Sequence, residues 1–273
     1  MFFPPLKLCI AQKIGFLYIC FFALGGCKGN LANKDAPVAL NDPRKDSTEI
    51  KVPKKLQNYY KDVDFNLRTI PLYEALATVT IAKHTTILSY RERHKYLYRV
   101  DAVPQQQDSV VLIYSGEHRY WEEYVSGNNR HKPQTFNTEH VYPQSLIENT
   151  AKGDLHHLRV CDQTVNTRRS NNPFSEGSGT YKLHYKSWYP GDEWKGDVAR
   201  MILYLNLRYN ETFEDVGSIK LFLKWNAEDP VSPFEEQRNN SIEKIQGNRN
   251  PFIDNPHLAT FIWGGPNAEN KWD

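Results

Sequence analysis

Residues 136–169 constrain this chain more than any other stretch. Phe136–Val141 suits a short strand, Leu155–Cys161 suits a second, and Asp162 is a natural N-cap for a helix that carries Asn166 and Arg169. The order is strand, loop, strand, helix. A helix puts Asn166 and Arg169, three positions apart, on one face, and that face can turn back toward Glu139 and His140 on the first strand. Strand geometry adds a condition. Neighbours on a regular strand point to opposite faces, so Glu139 and His140 serve one site only if the strand ends or kinks there. Pro143, just beyond, is a reason for an early end.

A carboxylate, an imidazole and a neutral amide brought together suit one kind of chemistry. Cutting a phosphodiester needs a cation against developing negative charge and a proton acceptor for the attacking water. A lone Glu-His dipeptide says little; the ordered set says more. His156 and His157 invite a zinc reading, but adjacent strand residues face opposite ways, so one is expected to hydrogen-bond internally and the other to meet solvent. Asp154 is expected to shape the turn into their strand.

The N-terminus reads separately. Lys7 and Lys13 precede or flank an apolar run, Ile14–Leu24, too short to span a bilayer and laid out like a secretory signal. Leu24-Gly25-Gly26-Cys27 looks like a bacterial lipobox, in which Cys27 is acylated and becomes the first mature residue; ordinary cleavage nearby is the plainer alternative. Residues 1–26 are thus expected to be a lipoprotein signal, and residues 27–54, rich in Asn, Asp, Pro, Lys and Ser, a lipidated Cys and flexible tether. Lys7 and Lys13 are the only charges in 1–26, so their removal takes the formal charge from +2 to 0. Any affinity for nucleic acid must then come from a local patch. Only Cys161 remains beyond Cys27, which excludes an intramolecular disulfide between unmodified thiols, and Cys161 is expected to be a buried small apolar residue.

From residue 55 to 273 the pattern is that of one catalytic domain. An apolar share of 40% and an aromatic share of 13% can supply its core. Pro71 opens a helix carrying Leu72, Leu76 and Ala77; a second helix runs through Ile87–Leu97; Ser109–Ser115 is β-branched and reads as a strand. Asp197 can cap a helix whose Val198, Met201, Ile202, Leu205 and Tyr209 share a face. Ile219, Phe222 and Leu223 suggest another. Ser232-Pro233-Phe234-Glu235 is a capping box with Pro at the first helical position, Gly247 is a stop, and Asn255-Pro256 starts a last short helix. The expected class is α+β, mainly helical.

Glu139-His140-Val141-Tyr142-Pro143-Gln144-Ser145, Asp154-Leu155-His156-His157-Leu158 and Asn166-Thr167-Arg168-Arg169-Ser170-Asn171 together resemble the bacterial endonuclease I family, periplasmic and secreted nucleases with a ββα-metal (His-Me) finger. The resemblance extends to Lys195–Arg200 and Gly247–Asp254, and so covers most of residues 70–265. It implies that the finger is embedded in the helical domain. It further implies that His140 is the general base, and that Glu139 and Asn166 ligate one divalent ion, Mg²⁺ or another hard ion such as Ca²⁺ or Mn²⁺. The ion would act on a non-bridging oxygen and the departing 3′ oxygen, leaving 5′-phosphate and 3′-hydroxyl ends. Arg169 matches an arginine that could hold the scissile phosphate, with Arg200 and Arg249 as further phosphate candidates. Many family members carry disulfides that this chain lacks.

Two basic surfaces stay open. Tyr181–Tyr189 interleaves aromatics with Lys182 and Lys186, as a nucleic-acid-contacting face would, or as a strand with its aromatic side in the core. Arg168 joins these lysines as a nucleic-acid candidate, while Arg91, Arg93, Lys95 and Arg99 read most simply as a solvated helix face. Trp121, Trp194, Trp225 and Trp263 read as core. The expectation is an exported, membrane-anchored, sequence-nonspecific endonuclease on DNA, with RNA left open, displayed on a periplasmic or cell-surface membrane face. Its rivals are a non-catalytic nucleic-acid-binding surface lipoprotein and a zinc hydrolase of small substrates. Nothing in the chain points to a protein partner.

Overall fold

The computed structural model of the chain describes residues 49–147 and 150–272. The expected signal, Cys27 and the tether as far as residue 48 lie outside the described residues.

In chain order the elements are α1 (Lys54–Gln57), α2 (Thr69–Lys83), α3 (Arg93–Val100), β1 (Ala102–Val103), β2 (Gln106–Val111), β3 (His118–Tyr120), β4 (Phe136–His140), β5 (Leu158–Asp162), α4 (Gln163–Arg169), β6 (Thr180–His184), β7 (Ser187–Gly191), α5 (Lys195–Tyr209), α6 (Ile219–Glu228), α7 (Pro233–Gln246), α8 (Pro251–Asp254) and α9 (His257–Trp263). Short 3₁₀ turns precede α3 and follow β3 and β4. The class is α+β. β1-β2-β3 form one antiparallel sheet, while β4-β5 and β6-β7 are separate antiparallel pairs.

α5 is the central helix. Val198 through Leu205 are all buried, so the helix is enclosed on every side and not merely along one stripe. α6 packs along it, and α2, α8 and β7 also touch it. The larger apolar cluster gathers around these elements and includes Trp188, Trp225 and Trp263. A smaller cluster forms around Leu97, Val110, Phe136, Leu158 and Val160. β5 joins the two: Leu158 and Val160 point into the smaller cluster and Cys161 into the larger, as strand alternation requires. Trp121 and Trp194 are only half-buried.

Buried charges tie β5 to the helices. Arg159, fully buried, pairs with Asp101 at 3.2 Å and Asp197 at 3.5 Å. Asp101 also takes Arg238 Nε at 2.6 Å, and Arg238 donates to the carbonyls of Leu155 at 3.1 Å and Leu158 at 2.8 Å. Removing Asp101 would leave buried Arg238 with carbonyl partners alone, and breaking a buried pair in this way costs about 3–5 kcal/mol. This network fixes where β5 begins.

Several boundaries differ from the sequence expectation. The second strand of the pair starts at Leu158, not Leu155. Asp154 shapes the turn before it, as expected, its Oδ1 accepting the His156 N–H at 2.9 Å, and pairing resumes when Val141 N–H reaches the His157 carbonyl at 3.1 Å. Asp197 does not cap α5 but lies buried in its first turn. The Gly196 N–H is satisfied from another element, by Asp229 Oδ2 at 2.8 Å. The helix expected over Ile87–Leu97 is a 3₁₀ turn over Tyr90–Glu92 followed by α3. The β-branched strand is β2, displaced toward Gln106. The Ser232 capping box and the Gly247 stop form as expected, with Gly247 at φ 90°.

Candidate active site

β4 runs antiparallel to β5 with Glu139 opposite Arg159 and His140 opposite Leu158. His140 is the last residue of β4, so the chain leaves the strand at the point where the Glu139-His140 pair needs it to. Asp162 ends β5 and caps α4, its Oδ1 accepting the N–H groups of Thr164 at 2.8 Å and Val165 at 3.0 Å. α4 then packs back on β4 and β5. As a result Glu139, His140 and Asn166 line the same open cleft, of about 440 Å³, together with Thr138, Ser145, Ser170 and Asn171.

The His140 ring is held in one tautomer. Its Nε2 lies 3.2 Å from the Lys152 carbonyl, which can only accept, so Nε2 carries the proton and Nδ1 keeps the lone pair. The Tyr90 ring sits 4.7 Å away and the His157 ring 5.5 Å away. Burial, aided by His157, lowers the His140 pKa to about 3, which keeps the imidazole neutral near pH 7 with its Nδ1 lone pair free. Next to Lys152, Gly153 closely approaches the backbone of Leu88: a Cβ there would meet the Leu88 carbonyl oxygen at 2.0 Å.

Glu139 is 3% exposed. Its Oε1 accepts from the Tyr114 hydroxyl at 2.8 Å and lies 3.0 Å from Arg169 Nε, an ion pair close in distance but not aligned as a hydrogen bond. Burial raises the Glu139 pKa, with Arg169 and Tyr114 working against it. Further positive charge would hold it ionised. Asn166 donates from Nδ2 to Asn137 Oδ1 at 2.7 Å and to the Thr138 carbonyl at 3.1 Å. With Nδ2 committed to a carbonyl, Oδ1 is the atom turned the other way. A carboxylate oxygen and an amide oxygen on one cleft are hard donors that fit a divalent ion completing its shell with water.

The phosphate-holding arginines expected from the sequence need correction. Arg169 is fully buried, and its other two nitrogens donate to the carbonyls of Ser170 at 2.6 Å and Val141 at 2.7 Å. It supports Glu139 and the cleft wall and presents no fork to a ligand. Arg200 is buried in a two-pronged pair with Glu235, at 2.7 and 2.8 Å. Arg249 is 4% exposed and pairs with Asp254 at 2.6 Å and Glu243 at 2.6 Å. Both are structural. Arg168 on α4, and Lys182 and Lys186 on the β6-β7 hairpin, are exposed. The hairpin divides its aromatics: Trp188 and Tyr189 join the core, and Tyr185 at the tip is 89% exposed.

His156 and His157 are both buried, at 1% and 0% exposure, so neither faces solvent. They lie in the turn before β5, with Nε2 bonded to the carbonyls of Asn248 at 3.3 Å and Ala151 at 2.8 Å. Asp154 is a hub, accepting the hydroxyls of Tyr204 at 2.6 Å and Tyr209 at 2.9 Å and the Gln246 amide at 2.9 Å. Burial pushes its carboxyl up, but His156, His84 and these hydrogen bonds outweigh that and hold it well below the usual range.

The sequence reading missed Tyr114, Asn137, Tyr90 and the Lys152 carbonyl. Arg93, expected on a solvated helix face, donates from Nε to Thr138 Oγ1 at 3.0 Å, and its guanidinium lies 3.7 Å over the Tyr90 ring. No spacing rule marks these residues, because each reaches the cleft from a different element.

Comparison with known proteins gives a match to the family described as Endonuclease I over residues 73–257, a span that holds every cleft residue named above. The chain belongs to the endonuclease I family. An extracellular ribonuclease of Bacillus amyloliquefaciens is 32% identical, over 93% of this chain and 100% of the relative. A second extracellular ribonuclease, from Bacillus subtilis, is 37% identical over 65% of this chain and 69% of its own length. An extracellular deoxyribonuclease of Aeromonas hydrophila is 32% identical over 39% of this chain and 51% of the relative. As an endonuclease I the protein is a nuclease, a phosphodiester hydrolase, of a family whose members use divalent metal ions.

Proposed function

We propose that this endonuclease I is an exported, sequence-nonspecific endonuclease whose β4-β5-α4 unit is a His-Me finger. The single observation that carries the reading is the convergence of Glu139, His140 and Asn166 on one open cleft with His140 neutral and its Nδ1 unprotonated. His140 Nδ1 takes a proton from water as the water attacks phosphorus, and the Lys152 carbonyl holds the opposite ring proton so that the base keeps its orientation. Glu139 and Asn166 are the residues that would hold the ion, with Mg²⁺ the best fit and Ca²⁺ or Mn²⁺ sharing the preference for oxygen. Bound there, the ion supplies positive charge against the phosphate oxygens as the bond to the 3′ oxygen breaks, leaving 5′-phosphate and 3′-hydroxyl ends. Tyr114 and Arg169 fix the Glu139 carboxylate. Nonspecificity follows from recognition through phosphate instead of base edges, with Arg168, Lys182 and Lys186 as the exposed basic residues available.

Export rests on the signal-like residues 1–26 and on the extracellular relatives, and acylation of Cys27 would tether the enzyme to a membrane surface. RNA is a second substrate reading beside DNA, favoured by the near-complete alignment with an extracellular ribonuclease. The test is digestion of plasmid DNA and of RNA of matched length, with Mg²⁺, with chelator, and with His140→Ala. Metal-dependent nicking lost in the variant supports the enzyme; nucleic-acid binding with no turnover by the wild type would leave the non-catalytic lipoprotein reading.

A further inference from the structure

α3 carries two rows of side chains at helical i, i+4 spacing, and both open on a second cavity outside the catalytic cleft. One row is aromatic, His94 and Tyr98, with the His94 ring bonded to the Tyr98 hydroxyl. The other is cationic, Lys95 and Arg99, both exposed. With Gln107 and Trp121 they line a cavity of about 300 Å³, and no carboxylate is among its lining residues. That volume lies at the small end of ligand-binding clefts, which run about 300–1,000 Å³. The Trp121 ring is half-buried against Tyr98, with 6.1 Å between centroids, and Tyr98 in turn stacks on Tyr124 at 4.9 Å, so the aromatic wall is rigidly backed.

We propose that this cavity is a nucleotide subsite for the substrate strand, taking one unpaired base against Trp121 and the His94–Tyr98 wall while Lys95 and Arg99 meet its flanking phosphate. The inference rests on the nuclease reading and names the substrate form, a single-stranded or locally opened segment. Connection to the catalytic cleft comes from α3 itself. Arg93, at its first turn, donates to Thr138 on the cleft and stacks on Tyr90, which in turn faces His140. From Arg93 to Arg99 the helix rises about 9 Å at 1.5 Å per residue. A strand running along α3 covers that distance within a few nucleotides. A planar base has a π-face that aromatic side chains accept whatever its identity, so such a subsite adds grip without sequence preference.

The test uses the full chain carrying His140→Ala, so that oligonucleotides survive, and reads binding by fluorescence anisotropy at fixed salt for single strands two to ten nucleotides long. Affinity should step up at the length that first reaches the cavity. Adding Lys95→Gln with Arg99→Gln should remove about tenfold at and beyond that length and little below it. Removing the base from the nucleotide at that position should cost the parent a similar factor and cost a further Trp121→Leu variant nothing more. An equal loss at every length, or an abasic penalty that persists in the Trp121 variant, would overturn the subsite. Melting curves for each variant separate lost binding from lost folding. A parallel digest with the wild type tells the two readings apart: absent cleavage counts against the nuclease, while the binding measurements decide the subsite.

Discussion

Arg169 Nε lies 3.0 Å from Glu139 Oε1, with both side chains closed off from solvent. The pair joins the end of α4 to the end of β4, so the residue expected to grip phosphate instead holds a metal-ligand candidate in place.

Arg169→Met therefore has a structural signature. It leaves the buried Glu139 carboxylate without its cation and strips the Ser170 and Val141 carbonyls of a donor, and is expected to destabilise the fold by about 3 kcal/mol. Urea unfolding measures this. Unchanged stability combined with a raised KM alone would return Arg169 to the role of a phosphate contact.

Tyr114→Phe removes one hydroxyl 2.8 Å from Glu139 Oε1 and leaves the ring packed 5.3 Å from Trp188. The stability cost should be about 1 kcal/mol. Loosening a ligand's support typically costs ~10–100-fold in metal affinity. Activity titrated against Mg²⁺ should shift its midpoint upward within that range, and an unmoved midpoint would remove Glu139 from the metal site.

Gly153→Ala tests how the base is held. The new methyl would meet the Leu88 carbonyl oxygen at 2.0 Å, so the 150–153 turn must move and take the Lys152 carbonyl with it. A fall in kcat with a smaller change in KM is expected, with overpacking costing about 1–3 kcal/mol of stability. Wild-type kcat in a folded variant would show that the Lys152 contact does not orient His140.

Acid should destabilise the protein through its buried histidines. His156 is buried, and burial lowers its pKa from 6.5 to about 4. Below pH 6.5 the unfolded chain takes up a proton that the folded chain refuses until about pH 4, so stability is full above 6.5 and falls across that window. The loss from this residue is on the order of 3 kcal/mol. Asp154, with its depressed carboxyl, adds a loss of the same sign at lower pH. Denaturant midpoints that stay level from pH 7 to pH 4 in the wild type would contradict the burial of neutral histidine; His156→Gln should flatten that slope.

Short-range signals were legible where a side chain acts on its own neighbourhood. Asp162 caps α4, Ser232 and Glu235 close a capping box, Gly247 turns left-handed, and β4 ends at His140 before Pro143. Glu139, His140 and Asn166 could be paired from order and spacing alone because one strand and one short helix carry all three. The Asp197 cap failed because Asp229, from the end of α6, occupies the α5 N-terminus. The solvent-facing histidine failed because the network of Asp101, Arg159 and Arg238 delays the start of β5 and leaves both His156 and His157 in a buried turn.

The amino-acid order by itself determined the α+β class, the strand–strand–helix unit and the donor set it presents, since hydrophobic period, capping and chain continuity act over a few residues. Tertiary structure alone decided which charges meet water. Arg169, Arg200 and Arg249 look like exposed phosphate grips in the sequence, yet each is buried against Glu139, Glu235 or Asp254. Burying a guanidinium is tolerable only with a carboxylate beside it, and in two of the three cases that carboxylate comes from an element 30 or more residues away, Glu139 for Arg169 and Glu235 for Arg200.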